Sequence, residues 1–123
     1  MQNIMIEETK YTPAISLDVN GTISMKGKSY PENTFEFYTP IMKWVEEYLE
    51  EDGKKLVVNM EIIYFNSSSS KLFFDFFDLL EENKDKHTIE VNWIYDEENE
   101  SAKEAGEDFI DDFEALSIQL VTK

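Results

Sequence analysis

"KLVVNMEIIYF", residues 55–65, is the stretch on which the fold turns. Leu56, Val58, Met60, Ile62 and Tyr64 fall on one face of an extended chain, while Asn59 and Glu61 fall on the other. A period of two marks a strand with one apolar face. A doubly wound sheet, covered by helices on both sides, would need its central strands apolar on both faces. The polar second face therefore predicts two layers, with helices on one side of a mixed sheet and the other side at least partly wet.

The pattern repeats on either side of this stretch. Ile15, Leu17 and Val19 alternate with Ser16 and Asp18, and Ile23 and Met25 alternate with Ser24 and Lys26; Asn20 and Gly21 between the two runs signal a tight hairpin. Further on, Ile89, Val91, Trp93 and Tyr95 form one alternating run, and Leu116, Ile118 and Leu120 another. Helical spacing separates these strands. Tyr38, Ile41, Val45, Tyr48 and Leu49, with Trp44 alongside, define a first helix running up to Gly53. Its start has two readings: Thr39 caps it with Pro40 at the first position, or a turn beginning at Asn33 is interrupted at Pro40. Two more helices are predicted over 68–83 and 97–112. The second of these carries Ala102, Ala105, Gly106, Phe109, Ile110 and Phe113 along one side. The predicted order is ββαβαβαβ, without internal repeat. Residues 1–10 are read as an N-terminal arm, ordered or loose, ahead of a single domain over 11–123.

Charge narrows the function. Acidic residues outnumber basic ones 27 to 11, for a net charge of −16, and all eleven basic residues are lysines. Such a field repels nucleic acid and favours partners with basic surfaces. Without arginine the chain lacks the bidentate fork used to clamp carboxylates and phosphates. The absence of cysteine excludes disulfides, thiolate metal sites and a catalytic thiol. Neither a signal-peptide pattern nor a membrane-spanning run is found, so a cytoplasmic protein is expected. No glycine-rich phosphate loop is present, and no cofactor is expected.

After the strand at 55–65 comes "NSSSS", residues 66–70, and then "KLFFDFF", residues 71–77. A hydroxyl row at this point lies at the start of a helix. Asn66, Ser67 and Ser68 are all cap candidates, since their side-chain oxygens can accept bonds from unpaired amides. One cap needs one such residue, and the row holds five. The same terminus favours negative charge, so a phosphoryl group attached to one of these hydroxyls is chemically sensible there. Along the helix, Phe73, Phe76, Phe77 and Leu80 form a core face, with Lys71, Asp75, Asp78 and Glu82 opposite. Phe74 falls on the flank, either covered by a neighbouring loop or exposed as an anchor for a partner.

Five segments taken together resemble the SiaC family of bacterial regulatory phosphoproteins. They are "TPAI" at 12–15, "SYPEN" at 29–33, "YFNSSS" at 64–69, "DLLEE" at 78–82 and "YDEENE" at 95–100. The resemblance implies a fold like the STAS domain of anti-sigma-factor antagonists, in agreement with the two-layer reading. It implies a switch and not an enzyme: a Ser/Thr protein kinase of the histidine-kinase-like ATPase fold modifies it, a metal-dependent Ser/Thr phosphatase restores it, and the unmodified form activates a diguanylate cyclase in cyclic-di-GMP signalling and biofilm formation. The family's acceptor is the hydroxyl directly after the junction asparagine, which corresponds to Ser67; Ser68, Ser69 and Ser70 are neighbouring hydroxyls. A recognition surface of Asn66, Ser67, Ser68, Lys71, Phe74, Asp75 and Asp78 follows as an expectation.

The rival class is a small acidic enzyme or divalent-metal binder. Asp75 with Asp78, and Asp96, Glu97, Glu98 and Glu100, offer oxygen ligands. Asp96 to Glu98 also suit the cap and first turn of the third helix. His87, the sole histidine, sits in the polar turn "NKDKHT" without a visible nucleophile and is read as a surface loop residue. An aspartyl-phosphorylated receiver would need an acidic pair and a strand-end aspartate that the chain does not present.

Overall fold

In the computed structural model, which describes residues 1–123, the elements run β1 (Ile4–Ile6), β2 (Ala14–Asp18), β3 (Thr22–Ser29), α1 (Thr34–Tyr48), β4 (Lys55–Phe65), α2 (Ser67–Glu82), β5 (Thr88–Tyr95), α3 (Glu100–Asp112) and β6 (Ser117–Thr122). From β2 onward this is the order read from the sequence. The addition is β1, which pairs antiparallel with β2 through Ile4 and Leu17, and Ile6 and Ile15. Three residues are too few to display a period. The arm is held by more than this pairing, because the Trp44 indole N–H donates to the Gln2 carbonyl at 2.9 Å.

One sheet contains all six strands in sequential order, antiparallel from β1 to β3 and parallel from β3 to β6. Each of the three crossovers moves one strand further in the same direction. With the usual right-handed sense, that brings every helix to the same face. Ile15, Leu17, Ile23, Met25, Leu56, Val58, Met60, Val91 and Trp93 meet the helices there and are almost fully buried. On the open face a polar row crosses the sheet through Ser16, Ser24, Asn59, Asn92 and Gln119. The Asn92 side-chain amide donates to the Asn59 side-chain oxygen, Oδ1, at 2.9 Å within that row. These residues explain why the second face carries no helices.

Alternation in β4 fails near its end. The register against β3 shifts between Gly27 and Lys28, which pair with Ile62 and Tyr64, so Ile63 is the extra residue of a bulge. Beyond it the faces exchange. Tyr64, expected in the core, is exposed, and Phe65 turns inward to pack against Phe73, Trp93 and Phe109.

Each helix that follows a parallel strand is capped by asparagine: Asn33, Asn66 and Asn99 accept from the amides of Glu36, Ser69 and Ala102. For α1 the start at Asn33 is therefore the correct reading, and Pro40 does not interrupt the helix. Pro40 lies on the solvent side, where the Glu36 carbonyl it leaves unpaired can meet water. At its other end α1 stops at Tyr48, short of Gly53. Glu46, Glu47, Glu50 and Glu51 crowd the negative end of the helix dipole, and no basic residue offsets them in the last turn. For α3 the cap is Asn99, not Asp96. The Asp96 carboxylate instead accepts from the Glu98 amide at 2.9 Å in a turn ahead of the helix.

His87 is buried and not a surface loop residue. Its Nδ1 accepts from the Lys54 amide at 3.1 Å, so Nε2 carries the proton and donates to the Leu49 carbonyl, also at 3.1 Å. Leu49 is the C-cap of α1, and its carbonyl is one of those a helix end leaves unpaired. Replacing His87 by alanine orphans one donor and one acceptor. The expected loss is about 2–4 kcal/mol, read as a lower urea midpoint at unchanged slope.

Candidate functional site

The hydroxyl row resolves into separate roles. Asn66 is held three ways: its amide donates to the Ser29 carbonyl at 3.1 Å, its side-chain oxygen accepts from the Ser69 amide at 2.9 Å, and its carbonyl accepts from the Ser70 amide at 2.9 Å. Ser67 and Ser68 follow as the first two residues of α2, both exposed. Their amides lie in the first turn, which has no intrahelical acceptors for them, and that turn contains no acidic residue. Ser69 is fully buried. Its hydroxyl bonds to Ser29 Oγ at 2.8 Å, which in turn shares a 2.6 Å bond with the Tyr38 hydroxyl. Burial pushes the Tyr38 phenol up to about 12, against a smaller lowering by the Ser29 bond, so it is the neutral phenol at physiological pH. This three-hydroxyl chain ties the end of β3, the middle of α1 and the first turn of α2 together in the core.

Ser67 and Ser68 stand between two grooves. One, of about 610 Å3, runs between α2 and α3 and is lined by Ser67, Ser70, Lys71, Phe74, Glu104 and Asp108 among others. The second, of about 380 Å3, lies between the start of α1 and α2 and is lined by Asn33, Phe35, Ser68, Lys71 and Asp75. Lys71 borders both. The surface expected from the sequence is thus divided: Ser67 and Phe74 face one groove, Ser68 and Asp75 the other, and Asp78, although exposed, lines neither. Phe74 is 44% exposed. What covers the rest of it is the ring of Phe113, the C-cap residue in the turn that follows α3, 4.8 Å away between centroids.

The family model for SiaC family regulatory phosphoproteins matches residues 6–123. The chain belongs to the SiaC family. An uncharacterized protein of Pseudomonas aeruginosa (strain UCBPP-PA14) is 38% identical over 114 residues, 91% of this chain and 90% of that protein. The crystal structure of apo-SiaC from Pseudomonas aeruginosa superposes with a TM-score of 0.88 at 34% identity, over 100% of this chain and 99% of that one. A second structure, of the diguanylate cyclase SiaD in complex with its activator SiaC from the same organism, matches with a TM-score of 0.92 at 34% identity, over 98% and 99% of the two chains.

Within the SiaC fold, several residues at the site escape a reading of sequence alone. Phe35, in the first turn of α1, is 76% exposed beside Ser68. Assigning it a face required knowing that α1 begins at Asn33; a start at Thr39 leaves it in a loop. Glu104 and Asp108 reach the same groove as Ser67 from another helix, which no local pattern announces. The Ser29–Ser69 bond spans 40 residues of sequence.

Proposed function

We propose that this protein is a phosphorylation-controlled switch and not an enzyme: unmodified, it binds and activates a diguanylate cyclase, and phosphorylation of Ser67 releases the cyclase. The cognate enzymes are a Ser/Thr protein kinase of the histidine-kinase-like ATPase fold and a metal-dependent Ser/Thr phosphatase, and the setting is the cytoplasm. The observation that carries this reading is a solvent-facing hydroxyl directly after the asparagine cap of α2, at the edge of a groove with an exposed phenylalanine. Membership of a regulatory phosphoprotein family and likeness to SiaC bound to SiaD as its activator support it. No helix is long and apolar enough to cross a membrane.

Of the four serines, burial disfavours Ser69 and Ser70, and the family's acceptor position directly after the cap asparagine selects Ser67 over the equally exposed Ser68. Ser69 is enclosed and hydrogen-bonded, and a kinase could reach it only after the first turn of α2 had opened. Ser70 is half-buried, and Ser68 faces the groove on the α1 side. At Ser67 a phosphoryl group adds nearly two negative charges beside the free amides of the first turn, where they are locally favourable. Its effect is therefore on what the surface can bind and not on the fold.

The test is to add the unmodified protein to the diguanylate cyclase of the same organism that most resembles SiaD and to follow cyclic-di-GMP formation. A rise with added protein is expected, and no change at saturating protein contradicts the reading. Replacing Phe74 by alanine is expected to cost about 1 kcal/mol of stability, the worth of its pairing with Phe113. The same change should weaken cyclase binding about tenfold or more, as loss of an exposed aromatic anchor does. Isothermal titration and a thermal melt on one sample separate the two effects.

A further inference from the structure

The two edges of the sheet are built differently. At one edge β1 is three residues long and runs into Glu7 and Glu8. At the other, β6 is six residues long, pairs with β5 in unbroken register, and contains no charged residue and no proline. Shortness, charge, proline and bulges are the devices that keep an edge from pairing with another strand, and β6 has none of them. Its free groups follow from one hydrogen bond. The Lys123 amide donates to the Tyr95 carbonyl of β5 at 3.0 Å. Backbone directions alternate along a strand, so Ser117, Gln119 and Val121 also turn toward β5, while Ile118, Leu120 and Thr122 turn their N–H and C=O groups outward.

The outward residues are spaced symmetrically about Leu120, which suits pairing with an identical strand. When a second β6 runs antiparallel to the first, Leu120 meets Leu120 and Ile118 meets Thr122, so every outward donor finds an acceptor. Between them Gln119 meets Val121 and Ser117 meets Lys123, and no two like charges stand opposite each other. Leu120 is half-buried beneath α3, where a methyl group on Gly106 would come within 2.6 Å of its side chain. The two-fold axis therefore passes beside Gly106. Ser101, Glu104, Asp108 and Asp112 face α2, which puts Lys103, Glu107 and Ile110 on the opposite flank of α3, above the free edge. Reversal about the axis turns Lys103 of each copy toward Glu107 of the other. Neither residue is paired within the molecule, whose ion pairs are Lys54–Glu51, Lys84–Asp85 and Lys123–Glu61. A chain with a net charge of −16 repels its own copies over most of its surface, and this uncharged strand flanked by a complementary pair is a place where two can meet.

We propose that β6 is a self-pairing edge through which two copies of this chain form a dimer. The two-fold axis is normal to the sheet, so the sheets join into one and the helices of both copies lie on the same side. Lys103 and Glu107 close the seam above the paired strands. The groove between α2 and α3 lies on the far flank of α3 and stays open, so the dimer stands or falls independently of the switch reading.

Sedimentation equilibrium over a wide range of protein concentration tests this on the full chain, with a reversible monomer–dimer equilibrium expected for wild type. Thr122→Pro removes an outward N–H and leaves the bonds to β5 in place, and should weaken the dimer about tenfold or more. Lys103→Glu should weaken it about fivefold through like-charge contact with Glu107 of the other copy, and Lys103→Glu/Glu107→Lys should return it to within about twofold of wild type. Unchanged circular dichroism of the dilute variants shows that the monomers are intact. The chain has no cysteine, so Gln119→Cys/Val121→Cys provides a clean cross-link: on oxidation, peptide mapping should find position 119 of one copy joined to position 121 of the other. A protein that stays monomeric at every concentration overturns the proposal. So does a dimer that Thr122→Pro leaves unchanged, a loss in Lys103→Glu that the double variant does not regain, or a cross-link that joins 119 to 119.

Discussion

Replacing Ser67 by glutamate is expected to lower affinity for the cyclase about tenfold or more, through like-charge contact and loss of Lys71 as a partner. The same substitution should not destabilise the protein. The first turn of α2 holds no acidic residue, so a carboxylate there meets the unscreened positive end of the helix dipole. That interaction raises the melting temperature by about 1–3 °C in a domain of this size. The two signs together distinguish a surface charge switch from one that works by melting α2, because melting would lower affinity and stability in parallel. The buried Ser69–Ser29–Tyr38 chain is the reason to expect the former, since it anchors the first turn from below while Ser67 faces outward.

The largest expected effect on stability lies at Trp93. Its indole is fully buried, 5.4 Å from Phe109 and 6.0 Å from Phe65 between centroids, and its N–H donates to the Ala102 carbonyl at 2.8 Å. Gly106 is shaped around it: a methyl group there would come within 2.5 Å of the indole, so α3 approaches β5 closely because this residue has no side chain. Trp93→Ala removes the ring around which α3, β4 and β5 pack. The expected cost is about 4 kcal/mol, a large share of the roughly 5–15 kcal/mol that holds a domain folded. Denaturant unfolding followed by circular dichroism measures it. A cost under about 1 kcal/mol would mean that this part of the core is loosely packed.

How much of this was legible beforehand depended on whether a feature is local. Leu56, Val58, Met60 and Ile62, followed by a polar second face, were enough for the two-layer architecture, because alternation in a strand records which side is wet. The failure at Tyr64 and Phe65 came from a bulge defined by pairing with Gly27 and Lys28 on another strand. His87 sits in a turn whose composition is polar, yet it is drawn inside by a helix end and a strand start from two other parts of the chain. At the site, Asn66 and Ser67 stood out because a cap and the residue after it are a local motif. The division of the surface into two grooves, and the acidic wall from α3, exist only once three helices are assembled on one sheet.

The proposed switch rests on the hydroxyl of Ser67 at the start of α2, whose modification is proposed to decide what the neighbouring surface can bind. The most direct test is to treat the protein with its cognate kinase and ATP, localise the added phosphoryl group by intact-mass and fragment analysis, and assay the product for activation of the cyclase before and after phosphatase treatment. One phosphoryl group on Ser67, with activation lost on its addition and regained on its removal, is the predicted result. Modification at another residue, or full activation by protein carrying phosphate on Ser67, would contradict it.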